Sequence, residues 1–221
     1  LILLAAIWGA SFLFMRVGSP EFGPVLFMAL RTSIACLFLV ACLLFYRQLS
    51  TLKTQFAQVF VVGQLNTAIP FVLFGYATLT LSAGTTSVLN GTTPMFGAIV
   101  AYFWLKDKLS PVAIIGLIMG FIGVYVLMAG SVSVTSDNVV FPTLAVMLAA
   151  LCYGISANFT KKYLGAIKPL TLAAGSQLSA SMTLLPLSLF FLPEVTPSEE
   201  AIYAVITLGI LCTGVAYIIF F

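Results

Sequence analysis

Apolar residues along this chain gather into long stretches separated by short polar gaps. Windows of roughly 20 residues, set against a hydrocarbon thickness of roughly 30 Å, predict eight membrane-spanning helices. They fall at about Leu1–Val17, Pro24–Tyr46, Ala57–Thr80, Ala83–Leu105, Pro111–Gly130, Val140–Thr160, Pro169–Leu192 and Ala201–Phe221. The gaps leave little chain for a soluble domain, so the fold class is an all-α polytopic membrane protein. The first stretch lacks the charged start, short apolar core and cleavage site of a signal peptide, and it is read as a true span. The chain does not open with Met, which leaves earlier residues possible.

Composition agrees with that reading. The chain is 62% hydrophobic and 7% charged and has no His; a soluble domain of this length could not hide so much apolar surface. Its few charges are ordered. Arg47 and Lys53 follow the second stretch, Lys106 and Lys108 the fourth, and Lys161, Lys162 and Lys168 the sixth. The alternate gaps hold Arg16 and the acids Glu21, Asp137, Glu194, Glu199 and Glu200. Positive residues mark the cytoplasmic side, so a cytoplasmic N-terminus is predicted. The net charge of +3 is then an orientation signal, and no basic patch supports a nucleic-acid partner. Cys36, Cys42, Cys152 and Cys212 lie inside spans, without a close pair or a His to complete a metal site, and read as small apolar fillers.

Sliding the chain along itself by 145 residues aligns Trp8, Gly9, Ser11, Phe14, Arg16 and Pro24 with Tyr153, Gly154, Ser156, Phe159, Lys161 and Pro169. One residue further in offset, Gly63, Thr67 and Phe74 meet Gly209, Thr213 and Phe220. The match implies a duplication whose copies, separated by an odd number of spans, enter the membrane from opposite sides. Residues 1–130 form the first repeat, of five helices, and residues 140–221 the second, ending after its third. Symmetry would place two more helices beyond Phe221, so these eight helices are expected to belong to a ten-helix protein. Inverted repeats of this kind surround a midplane site with two facing gates.

The residues also carry a resemblance. Trp8-Gly9-Ala10-Ser11-Phe12, Arg31, and Thr93-Pro94-Met95-Phe96 followed by Leu105-Lys106-Asp107-Lys108-Leu109-Ser110 resemble the EamA family of the drug/metabolite transporter superfamily. The similarity covers essentially the whole chain and is strongest over 90–128. That family usually has Leu-Gly-Glu-Arg after its fourth helix, where this chain has Lys106 and Asp107 in place of Gly and Glu. The resemblance implies ten helices, both termini cytoplasmic, a bacterial inner membrane, and export of small metabolites such as amino acids.

Polar residues in midspan need a partner or a wet cavity, which makes them the candidate substrate site. Thr86, Asn90 and Thr93 fall at i, i+4 and i+7 beside Pro94, whose missing N–H frees the Asn90 carbonyl. Asn66 sits one turn before Pro70 in the third span. Trp8 and Ser11, with Phe12 and Met15, form one stripe, and Tyr153 and Ser156 are its counterpart. Asn158 and Tyr217 complete the candidates. Each has a packing alternative, since interhelical polar bonds and aromatic stripes need no ligand. Arg31, the one charge well inside a span, either snorkels to the outer headgroups or helix-end carbonyls or attracts an anionic substrate group. Gly116 and Gly120 permit close helix contact, within the fold or between copies, so a monomer or a homodimer is expected.

These features predict a secondary carrier that exports a small metabolite, most simply an amino acid or related compound, by alternating access. A multidrug exporter, an importer of the same fold, and a receptor or scaffold are the alternatives. An enzyme is disfavoured because the acids lie outside the spans and no His is present. No Walker-type loop calls for a nucleotide, and no cofactor is expected.

Overall fold

The computed structural model describes residues 2–131 and 139–220 and shows helices and turns throughout them. Leu1, Asp137 and Phe221, all used in the sequence reading, lie outside the described residues. Treating a helix that continues through a kink or a wide turn as one element, the long helices are α1 (Ile2–Phe22), α2 (Pro24–Phe45), α3 (Phe56–Ala77) and α4 (Ala83–Leu105), followed by α5 (Pro111–Ser131), α6 (Val140–Tyr163), α7 (Pro169–Ser188) and α8 (Glu199–Ile219). A further short helix, Leu49–Thr54, lies in the gap between α2 and α3.

Proline and serine set most helix starts. Pro24, Pro111 and Pro169 open their helices, where a missing N–H costs nothing and φ is preset. Ser82 and Ser198 accept from Thr85 N and Ala201 N as N-caps. Glu199 and Glu200 in the first turn of α8 complement its dipole. Only Gly23 separates α1 from α2, and its φ of 73° makes the reversal that a side chain would resist.

α1 runs to Phe22, past the expected end at Val17. Arg16 does not stop it, because its guanidinium donates to Thr78 O at 3.0 Å and Leu81 O at 2.7 Å, the orphan carbonyls at the end of α3. α4 is interrupted at Gly91–Thr92, just before Pro94, so Thr86, Asn90 and Thr93 do not lie on one continuous helical face as the spacing predicts. Wide π turns interrupt α3 at Gln64–Ala68 and α8 at Ile210–Val215, and a third closes α4 at Ala101–Leu105.

Six of these helices, α1, α2, α3, α4, α6 and α8, are long and apolar enough to cross a membrane. The hydropathy pattern of the sequence predicts eight. The described apolar part of α5 is shorter, Pro111–Val126, and α7 is diluted by Ser176, Gln177, Ser179, Ser181 and Thr183. Of these, Ser176, Gln177, Ser179 and Ser181 are buried against neighbouring helices: the longest contact of α7 is with α2, and it also packs along α3. Ser33 and Ser181 share a hydrogen bond of 2.8 Å, Gln64 Nε2 donates to Ser179 Oγ at 2.7 Å, and Ser179 Oγ donates to Phe60 O at 2.9 Å.

The remaining contacts come in matched sets. α1 packs on α8 and α3 on α6; α2 packs on α8 and α3 on α7. Gly63 lies against Ser176 O and Ser179, while Gly209 lies against Arg31 O and Ile34. The tightest backbone approach is between α4 and α6. A methyl group on Gly154 would come within 2.7 Å of Gly97 N and 2.9 Å of the Phe96 carbonyl carbon. By contrast α5 is peripheral and largely exposed, touching α4 where Phe121 meets Phe96 at 5.8 Å.

The turn after α4 has the backbone conformation that suits the Gly usual in the family, and nothing in the structure explains the Lys found here. Lys106 holds φ 61° and ψ 24°, a left-handed cap that closes the helix with its N–H on Ala101 O. Glycine adopts this conformation freely and Lys does not. Asp107 then reaches Lys161 at the end of α6, 2.8 Å away.

Two stability measurements follow. Gly154→Ala should destabilise the detergent-solubilised protein by about 1–3 kcal/mol, through backbone overlap that cannot relax, while Gly116→Ala, with open space around it, leaves its thermal midpoint unchanged. Lys106→Gly should raise stability by about 1 kcal/mol by relieving the left-handed strain.

Candidate functional site

A cavity of about 200 Å³ lies where α1, α2, α3, α4, α6 and α8 converge. α1 supplies Trp8, Ser11, Phe12 and Met15 on successive turns of one face, and α3 supplies Phe71 and Phe74 just after Pro70. Asn90 enters from the interrupted part of α4, Tyr153 from α6, and Cys212 and Tyr217 from α8. The aromatic side chains brace each other: Phe12 meets Phe74 edge to face at 5.5 Å, and Phe74 meets Tyr153 at 5.9 Å.

Arg31 completes the lining, and the structure corrects the expectation that it snorkels. It is 4% exposed, and its guanidinium turns inward. Nε donates to Thr213 Oγ1 at 3.0 Å, and the guanidinium carbon stands 3.7 Å from the centre of the Phe71 ring. Thr213 is placed by the π turn of α8, whose extra width lets its own hydroxyl reach back five residues to Leu208 O at 2.9 Å. The site is therefore an aromatic chamber with one buried cation and a few hydroxyl and amide groups. Such a chamber can hold a small molecule with an apolar body and a polar head.

Five of the ten candidates, Trp8, Ser11, Asn90, Tyr153 and Tyr217, line this cavity. Asn66 stands just outside it, with its side chain in hydrogen-bonding reach of Tyr217. Thr93 donates to Asn90 Oδ1 at 3.2 Å and so orients the amide. Thr86 and Ser156 are buried away from the lining, and Thr86 donates to Ser82 O within its own helix. Asn158 belongs to the α4–α6 crossing: its amide donates to Gly97 O at 2.9 Å and to Gly154 O at 2.8 Å.

Phe71, Phe74 and Cys212 were not among the candidates. A signal for Phe71 was present, since the offset that pairs Gly63 with Gly209 also pairs Phe71 with Tyr217. Asn158→Ala should lower thermal stability by about 0.6 kcal/mol, the average for an interhelical polar bond in a membrane, without changing ligand affinity. Tryptophan fluorescence titration beside a melting curve checks both.

Known proteins place this arrangement in a family. A model of the EamA-like transporter family matches residues 1–129 and 141–221. The chain is 26% identical over 226 residues to the uncharacterized transporter YoaV of Bacillus subtilis, covering all of this chain and 77% of that protein. It is 23% identical over 222 residues to an uncharacterized transporter of Archaeoglobus fulgidus, covering 99% and 76%. Several solved structures match, among them a crystal structure that shares the fold with a TM-score of 0.66 and 21% identity over 97% of this chain and 76% of the other. The protein is a multi-pass membrane transporter and belongs to the EamA-like transporter family.

Proposed function

We propose that this protein is a secondary carrier that exports a small metabolite, an amino acid or a related compound, by alternating access. The observation that carries the reading is the cavity of about 200 Å³ walled by helices from both halves of the chain. It is smaller than the roughly 300–1,000 Å³ that hold drug-sized ligands, which favours a metabolite over multidrug efflux. On this reading all eight helices span the bacterial inner membrane, with the N-terminus in the cytoplasm. The alternating charges of the gaps support that orientation.

Two inverted repeats, 1–130 and 140–221, give the cavity its two sides. Several structural pairs support the duplication. Trp8 and Tyr153 line the cavity 145 residues apart, and Phe71 and Tyr217 line it 146 apart. The π turns of α3 and α8 start at Gln64 and Ile210, again 146 apart. Gly63 and Gly209 nestle on residues that are themselves 145 apart. Exchange of the two copies turns the α1–α8 contact into the α3–α6 contact. In such a carrier helix bundles rock about the site and expose it to each face in turn. The protein would act as a monomer or a homodimer.

Cells expressing the protein should accumulate a specific small metabolite outside, and cells carrying Trp8→Ala or Asn90→Ala at equal membrane abundance should accumulate less. Loss of the Trp8 face should weaken apparent affinity about tenfold, the equivalent of roughly 1.4 kcal/mol. An extracellular metabolite profile tests both statements, and unchanged export in both variants would reject the cavity as the route.

A further inference from the structure

Arg31 is the one charged residue among those lining the cavity. Its polar partners are the hydroxyl of Thr213 and, at 4.0 Å, the sulfur of Met28. Among the described residues the ion pair joins Lys161 to Asp107, and no carboxylate bonds Arg31. A buried charge with neutral partners is costly to hold. A guanidinium has five N–H donors in a planar fork that matches a carboxylate, and here the fork borders an open volume. Aromatic rings fill most of the remaining wall: Trp8, Phe12, Phe71, Phe74, Tyr153 and Tyr217.

We infer that the cavity selects small monocarboxylates of net charge −1 with an aromatic or branched apolar body, the carboxylate seated on Arg31. This deepens the carrier reading and rests on it. An amino acid offers the same carboxylate but adds an ammonium group. Among the described residues no acid lines the cavity to receive that group, and Arg31 repels it. An aromatic face attracts a desolvated cation more strongly than an exposed one, but Arg31 already occupies the face of Phe71. The deaminated analogue of an amino acid, a 2-oxo acid or a simple arylalkanoate, therefore binds in preference to the amino acid itself.

Charge selection also supplies a driving force. When the anion moves alone, one negative charge crosses with each molecule. An inside-negative membrane then favours export, shifting the equilibrium distribution by roughly fiftyfold per 100 mV. No buried carboxylate for proton coupling is required.

The test uses the purified full-length protein in liposomes loaded with radiolabelled 3-phenyl-2-oxopropanoate, 3-phenylpropanoate or L-phenylalanine. A potassium gradient with valinomycin sets the potential. Both carboxylates should exchange at concentrations about tenfold or more below those needed for phenylalanine, and their efflux should accelerate when the interior is negative. Arg31→Gln should lose the discrimination and Arg31→Lys retain part of it; the preference of the unmodified protein decides the matter even where a variant does not fold. Equal or better transport of phenylalanine, or carboxylate efflux indifferent to the potential, overturns the inference and leaves the carrier standing. If none of the three compounds moves, the charge inference fails for these probes, and the extracellular profile separately decides whether the protein is a carrier.

Discussion

The fold depends on a polar seam inside an apolar bundle. Helices in lipid gain little from hiding apolar surface from one another, so their association rests on close packing and on hydroxyl and amide groups that must find partners. Here α7 holds that role. Its Ser181 bonds Ser33 of α2, and its Ser179 is bonded by Gln64 of α3 and donates to Phe60 O. Gly63 removes the bulk that would keep α3 from α7. With α2 and α3 both fastened to α7, through Ser181 and Ser179, Arg31 comes to lie over Phe71. Residues two apart on a helix are about 200° apart around its axis, so the Ser33 that grips α7 leaves Arg31 facing the cavity.

Much of this was legible in the sequence because local chemistry determines it. Helix starts follow from Pro24, Pro111 and Pro169, and the apolar stretches locate the helices to within about five residues. What escaped depended on distant partners. Arg31 reads as a snorkelling residue until Thr213, 182 positions later, is brought beside it. Asn158 reads as a cavity amide until Gly97 and Gly154 show that two helix backbones meet there. α7 has a low mean hydropathy because Ser176, Gln177, Ser179 and Ser181 turn into the protein, while Met182, Leu185 and Leu187 stay exposed. Thr86, Asn90 and Thr93 keep their spacing in sequence, yet the interruption at Gly91–Thr92 ends the regular face on which the spacing argument relied.

On the two-repeat reading the halves are similar in shape and different in charge. Gly209 lies against the backbone of Arg31 as Gly63 lies against that of Ser176, so these two α2 and α7 residues occupy matching places. One is a guanidinium and the other a hydroxyl. A symmetric chamber would bind a ligand in two equivalent poses; a single cation removes the equivalence and holds the polar head against one half.

Glu21, at the end of α1, accepts from both the backbone N–H and the hydroxyl of Ser198, the cap of α8, at 2.6 and 2.8 Å. This clasp joins residues 177 positions apart and continues the long packing of α1 on α8. α3 is likewise seated on α6. Any rocking motion must then carry α1 together with α8 and α3 together with α6, so the bodies that move would each be assembled from both halves of the chain. The duplication in the gene and the division of labour in the machine would follow different boundaries.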